Sequence, residues 1–140
     1  MLYKATLQSL LRSTLSDGQC DRMLHKAHAV VALRDDGTWK LKYYDEENAG
    51  ETVISGTSHA ITLRRSGHVT SRMVFETSKT TEAIYRTEAG EIDMQLHTRR
   101  IFISTEKHSG RLLLDYDLLI AGETTARNTL EVFWHREIAP

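Results

Sequence analysis

Three things are scarce in this sequence: cysteine, proline and long apolar runs. Cys20 is the only cysteine, so no disulfide can form within the chain and no cysteine-based zinc site can be built. The only proline is Pro140, which suits continuous β-ladders because every internal backbone N–H can pair. No apolar run has the length of a signal peptide or a membrane span. We therefore expect a cytoplasmic protein that does not bind membranes.

Charge of one sign is also lacking. The chain has 18 Lys and Arg residues against 19 Asp and Glu residues, a net charge of −1. Proteins that bind nucleic acid normally have a strongly basic balance, so we expect no nucleic-acid partner. With 140 residues and 40% hydrophobic residues, the chain is long and apolar enough for one folded core. We expect a single domain over residues 1–140.

Hydrophobic residues recur at every second position along most of the chain. Between Gly90 and Trp134 this alternation runs through three successive segments, which predicts three antiparallel strands with one buried face. Earlier strands are predicted at Leu24–Leu33, at Thr52–Arg64 and at Glu82–Thr87. The segment from Met1 to Leu15 fits either a helix or a strand, and the Asp17-Gly18 turn signal after it favours a strand.

Three predicted hairpin turns have glycine as their third residue, where a left-handed backbone is needed. They are Asp35-Asp36-Gly37, Arg65-Ser66-Gly67 and His108-Ser109-Gly110. These turns predict three cross-strand neighbours: Leu33 with Trp39, Leu63 with Val69, and Phe102 with Tyr116.

The sequence therefore predicts an all-β fold of about eight to ten strands. Short connections between consecutive strands favour a closed antiparallel up-and-down β-barrel over a sandwich with long crossovers.

The order of several turn and strand residues resembles the YwiB-like family of small bacterial proteins. The resemblance spans roughly residues 28–134 and lies in Tyr43-Tyr44-Asp45-Glu46, Gly50, Thr52, Arg65-Ser66-Gly67, Phe75, Tyr85-Arg86-Thr87, Gly90, Thr98, Gly110, Tyr116 and Asn128. It implies a calycin-type barrel, similar to lipocalins and fatty-acid-binding proteins. It implies no reaction, because the family brings no established catalytic residues.

Six polar residues lie in phase with the predicted apolar face, where a barrel of this size can hold one small ligand. They are Tyr43, Tyr85, Thr98, Arg100, Tyr116 and Asn128. An inward Arg100, with Tyr116 and Asn128, would form the polar end of a pocket for an anionic, fatty-acid-like molecule. Two alternatives remain open. The polar residues could satisfy one another in a packed core, or a bulge near Thr98–Arg100 could place Arg100 outside, since Ile101 lies on the other face.

No pattern in the sequence points to catalysis, a metal or a cofactor. His25 and His28 are three residues apart on a predicted strand and so face opposite sides, while the other histidines are scattered. We therefore predict no enzyme activity, no metal and no cofactor. The predicted function is binding of a small amphipathic ligand inside the barrel. The alternative is a protein-interaction module with a filled core. The sequence specifies neither the ligand nor the oligomeric state.

Overall fold

The computed structural model describes residues 1–57 and 59–138 and contains ten β-strands in this part of the chain. In chain order they are β1 (Leu2–Leu15), β2 (Cys20–Leu33), β3 (Trp39–Asp45), β4 (Gly50–Gly56), β5 (Ala60–Arg65), β6 (Thr70–Glu76), β7 (Thr80–Thr87), β8 (Gly90–Thr105), β9 (Ser109–Ile120) and β10 (Glu123–Arg136). The first segment is a strand, as predicted. No helix in the described ranges has the length and hydrophobicity needed to cross a lipid bilayer.

The ten strands form a closed antiparallel barrel of up-and-down topology. Each strand pairs with its neighbours in the sequence, and β1 pairs with β10 to close the barrel. This confirms the predicted fold. Closure leaves each strand with one face toward the interior, which is why the two-residue hydrophobic period runs through the chain.

The first glycine turn was predicted correctly. Gly37 has a φ of 87°, and the Asp36 carboxylate accepts a hydrogen bond of 2.9 Å from the Thr38 backbone N–H. Leu33 lies opposite Trp39, as predicted. The turn residues are sufficient here because the hairpin is formed by local interactions alone.

The predicted registers of the other two glycine turns were wrong. Leu63 lies opposite Met73, not Val69, and Tyr116 lies opposite Thr98, not Phe102. Gly67 does have a positive φ, of 139°, and both glycines also make room for neighbours that are distant in the sequence. A Cβ on Gly67 would lie 2.0 Å from the backbone oxygen of Asn48.

The predicted long strand Thr52–Arg64 is two strands, β4 and β5. The chain reverses after Gly56, and Ile54 lies opposite Leu63. At Gly56 the backbone of the next strand comes so close that a Cβ would lie 2.5 Å from the Ala60 carbonyl oxygen. A glycine inside a strand pattern indicates such a close approach as readily as a bend.

Large apolar side chains fill one end of the barrel. The indole rings of Trp39 and Trp134 stack with centroids 5.7 Å apart, and the Trp134 Nε1–H donates a 3.2 Å hydrogen bond to the Tyr3 hydroxyl. Leu7 and Leu41 are also buried at this end. The same hydrophobic cluster continues along the interior, and the polar inward residues lie toward the opposite end.

Candidate functional site

The barrel end opposite the tryptophans has a polar interior. A row of inward residues crosses five consecutive strands, each directly opposite the next: Tyr43 on β3, Thr52 on β4, Arg65 on β5, Ser71 on β6 and Tyr85 on β7. Thr52 and Ser71 are buried, while the other three are partly buried. The row extends from the interior to the rim, where the loops joining these strands lie.

A second inward row contains three of the predicted site residues. Thr98 on β8 lies opposite Tyr116 on β9, which lies opposite Asn128 on β10, and all three are buried. The Tyr116 ring makes an edge contact with Phe75, their centroids 4.9 Å apart. The sequence thus correctly placed Thr98, Tyr116 and Asn128 inside the barrel, together with Tyr43 and Tyr85. Their role in binding a ligand stays a prediction.

The hypothesis of an inward Arg100 was wrong, and the alternative of a bulge near Thr98–Arg100 is confirmed. A bulge lies between Thr98 and Arg100, and the strand residues after it change sides. The Arg100 side chain is 62% exposed on the outer wall, and its Nε lies 2.9 Å from an Asp115 carboxylate oxygen. Ile101 packs against the core instead, because one extra residue in a strand reverses the direction of every later side chain.

Arg65 is the inward arginine that the sequence reasoning missed. Arg65 continues the alternation of the buried residues Ile61 and Leu63 on β5, and this pattern could have predicted that it points inward. The sequence analysis instead placed Arg65 in a turn, because it ended the strand at Arg64. The Arg65 side chain is 33% exposed, and its guanidinium lies 3.3 Å from a carboxylate oxygen of the buried Asp45.

The Arg65 charge acts on two interior tyrosines. Burial raises the pKa of Tyr116, and the nearby Asn128 amide and the Arg65 charge oppose that rise. Burial also raises the pKa of Tyr43, and the negative charge of Asp45 raises it further. The Thr52 hydroxyl and the Arg65 charge act in the opposite direction. Both phenols therefore keep their protons at neutral pH and can donate hydrogen bonds.

Several buried polar atoms at this end have no hydrogen-bond partner among the described residues. They are Oγ1 of Thr52, Oγ of Ser71, Oγ1 of Thr98 and Oδ1 of Asn128. Leaving one such atom unsatisfied costs about 1–3 kcal/mol. The polar end is thus rich in donors and acceptors that neighbouring side chains do not satisfy, which suits it to a polar ligand group.

Beside this end, strand β2 extends past the part that pairs with β3. Strand β2 pairs with β3 only over residues 29–33, although it starts at Cys20. Its first nine residues are therefore paired only with β1 within the described chain. The His25 ring on this stretch faces inward and lies 5.8 Å from the Tyr43 ring, centroid to centroid. His25 and Tyr43 therefore lie beside the polar end, next to the part of β2 that does not pair with β3.

The loops beside Arg65 are held together by Asn48. Its buried side chain donates to the carbonyl oxygens of Ser66 and Val69, at 3.2 and 2.9 Å, and accepts from the Val69 N–H at 2.7 Å. These bonds join the β3–β4 loop to the β5–β6 loop. Asn48 therefore sets the position of the strand end that bears Arg65.

In the described residues, no group of three or more His, Cys, Asp or Glu side chains is arranged to hold a metal ion. His25 faces inward and His28 outward, where its ring lies 2.6 Å from a Glu137 carboxylate oxygen. Asp115 and Asp117 lie on the outer wall, paired with arginines, and not beside the polar end.

The fold and this site define a class: a small, closed, ten-stranded antiparallel β-barrel with one apolar and one polar interior end. A family model described as a domain of unknown function (DUF1934) matches residues 11–132, so the chain belongs to that family. The chain is 28% identical over 103 residues to the uncharacterized β-barrel protein YwiB of Bacillus subtilis, covering 67% of this chain and 72% of that protein. The resemblance to YwiB-like proteins is thereby confirmed.

The fold is also that of a solved relative. The crystal structure of the Bacillus subtilis YwiB protein superposes with a TM-score of 0.86 at 18% sequence identity, covering 98% of this chain and 94% of the other. This likeness concerns the fold. The protein is thus a small β-barrel protein of the DUF1934 family.

Proposed function

We propose that the polar end of the barrel binds the anionic head group of a small amphipathic molecule, with Arg65 as its charge partner. The observation that supports this most is the environment of Arg65. An inward guanidinium stands in a row of hydroxyl groups, and the described residues leave several of its neighbours without hydrogen-bond partners. Guanidinium binds carboxylate through two parallel hydrogen bonds, a geometry that suits a fatty-acid-like head group.

Asp45 does not saturate Arg65. A guanidinium has five N–H donors, and the contact with Asp45 joins one terminal nitrogen to one oxygen at 3.3 Å. The Asp45 carboxylate also accepts hydrogen bonds from the backbone N–H groups of Glu47 and Asn48. The remaining Arg65 donors are available to a ligand, and the protonated phenols of Tyr43 and Tyr116 add two more donors.

The apolar part of the ligand would lie against inward hydrophobic side chains beside the part of β2 that does not pair with β3. Leu11 on β1 is directly opposite both Met23 on β2 and Leu130 on β10. Met23 is exposed, whereas Leu11 and Leu130 are partly buried. These three side chains offer apolar surface outside the packed middle of the barrel. The ligand is therefore a short amphiphile held at this end of the barrel. The proposed activity is binding without chemical conversion.

Titration with decanoate, followed by tryptophan fluorescence or calorimetry, tests the proposal. We expect saturable binding by the wild type and weaker binding of decanol, which has the same chain length without the charge. Arg65→Gln combined with Asp45→Asn removes both charges of the pair and leaves no unpaired buried ion. This variant should bind decanoate at least about tenfold more weakly.

Arg100→Leu is the matched control, because it removes an arginine of the outer wall. It should bind decanoate as the wild type does, provided that circular dichroism shows both variants folded. Equal decanoate affinity in the Arg65/Asp45 variant and the wild type would contradict the proposal. Failure of decanoate, decanol and shorter carboxylates to bind the wild type would also contradict it. In that case the alternative function, a protein-interaction module with a filled core, would be favoured.

A further inference from the structure

A group of three outward arginines lies on adjacent strands of the outer wall. Arg64 on β5 is directly opposite Arg72 on β6, and Arg86 on β7 is directly opposite Thr70. Neighbouring strands are about 4.8 Å apart, so side chains of this length can reach one common point. We call Arg64, Arg72 and Arg86 the arginine face. It is distinct from the interior site, because all three side chains point away from the barrel axis and are exposed.

The pairing of Arg64 with Arg72 is unfavourable by itself. Like charges directly opposite each other on neighbouring strands are destabilising. Among the described residues, no carboxylate oxygen lies within 4.0 Å of either guanidinium. By contrast, the outward Arg99, Arg100 and Arg111 each have a carboxylate partner. An anion that binds between Arg64 and Arg72 would remove this repulsion.

The surface around the arginine face is concave. A shallow depression of about 400 Å³ is lined by the three arginines together with Val53, Thr70 and Ile84. Parts of Glu51, Arg65, Ser66 and Ser71 also line it. Val53 and Ile84 supply an apolar floor, and Thr70 supplies a hydroxyl group. Two carboxylates are close by, but each is already paired: Glu51 lies 3.4 Å from Lys42 Nζ, and Glu91 lies 2.7 Å from Arg86 Nε.

We propose that the arginine face binds the phosphate group of a small phosphorylated molecule. A phosphate dianion accepts hydrogen bonds on several oxygens at once, and guanidinium groups match it through paired donors. Two unpaired arginines with a third beside them, a hydroxyl donor and an apolar floor suit a phosphomonoester whose organic part contacts Val53 and Ile84. Free phosphate shares the anionic chemistry but lacks the organic part.

Calorimetric titration at low ionic strength with inorganic phosphate and with phenyl phosphate tests this proposal. We expect both to saturate one site on the wild type. Tighter binding of phenyl phosphate would identify a phosphomonoester as the ligand, and equal binding would identify the free anion. Arg64→Gln and Arg72→Gln should each weaken both ligands by at least about tenfold. Arg65 is unchanged in these variants, so they should still bind decanoate as the wild type does, and this separates the two sites.

The chain offers a matched control. Arg12 on β1 is directly opposite Arg22 on β2, so the same opposition of charges occurs on a hairpin away from the depression. The double variant Arg12→Gln with Arg22→Gln loses two positive charges and should bind phosphate as the wild type does. If this control loses affinity as strongly as Arg64→Gln and Arg72→Gln, the binding is nonspecific and the proposal is wrong. The proposal is equally wrong if phosphate shows no saturable binding to the wild type.

A stability measurement gives a second readout. Because removal of one charge relieves the repulsion between Arg64 and Arg72, Arg72→Gln should melt at a higher temperature than the wild type in low salt. Phosphate should raise the melting temperature of the wild type and not that of Arg72→Gln. A phosphate-dependent rise of the same size in both proteins would overturn the assignment of the site.

Discussion

Gly110 lies directly against the indole of Trp134: a Cβ at Gly110 would be 1.9 Å from Cζ2 of that ring. The two residues are opposite each other on β9 and β10. Glycine at this position thus allows the largest fully buried side chain of the protein to occupy the apolar end of the barrel. The position is a packing requirement, because the nearest atoms belong to a ring that its neighbours hold in place.

Gly110→Ala should therefore destabilise the protein. Overpacking of this kind typically costs about 1–3 kcal/mol, and more when the neighbour cannot move. Urea denaturation measures the loss in free energy of unfolding. In a Trp134→Leu background, the same Gly110→Ala exchange should cost clearly less, since the ring is no longer there. Equal losses in the two backgrounds would show that the ring contact is not the cause.

The stacked tryptophans make a spectroscopic prediction. Trp39 and Trp134 are the only two tryptophans of the chain, and their rings lie 5.7 Å apart with an interplanar angle of 29°. Electronic transitions of two indoles this close couple to each other. We expect an exciton couplet in the far-ultraviolet circular dichroism spectrum. Trp39→Phe should abolish the couplet while the β-sheet signal remains. A couplet that persists in this variant would contradict the stacking.

Asn48→Ala should loosen the loops that position Arg65. The substitution leaves the backbone N–H of Val69 and the carbonyl oxygens of Ser66 and Val69 without their side-chain partner. The expected loss is about 1–3 kcal/mol, measured by urea denaturation. Glu47→Ala, at the adjacent exposed position, is the control and should change stability by less than about 0.5 kcal/mol. Similar losses in the two variants would indicate a general effect of this loop.

Stability should fall at alkaline pH because of buried tyrosines. Burial raises the pKa of Tyr3, Tyr43 and Tyr116, so each phenol holds its proton more tightly in the folded than in the unfolded state. Their contribution to stability is therefore fully present below the unfolded pKa of about 10 and is lost as the pH rises above it. Urea denaturation between about pH 8 and about pH 11 would show this decline.

Tyr116→Phe should make the alkaline decline shallower, since it removes one of the three groups that must ionise on unfolding. The variant is compared with the wild type over the same pH range, because lysines that lose their charge at high pH affect both proteins equally. Parallel declines in the two proteins would mean that Tyr116 does not contribute to the alkaline loss of stability.

Local patterns in the sequence were sufficient to predict the strands and the barrel architecture. The two-residue hydrophobic period predicted strands throughout, because side-chain direction alternates on any extended chain regardless of its neighbours. The Asp35-Asp36-Gly37 turn predicted its hairpin register, since that turn is held by its own side chains. The alternation on β9 and β10 likewise predicted that Tyr116 and Asn128 face the interior, where they lie opposite each other. The polar interior was therefore visible in large part before the structure.

Tertiary structure decided which arginine enters that interior. A single bulged residue after Thr98 turns Arg100 outward. The position of Ile101 in the alternation made such a bulge possible, but packing decides whether it forms. In the sequence, Gly67 and Gly110 are typical of turns. In the structure, close contacts with Asn48 and Trp134 are what require glycine at these two positions. These contacts join segments that are distant in the sequence. Strand alternation is a property of a few consecutive residues, whereas register and bulges depend on which remote side chains must fit together.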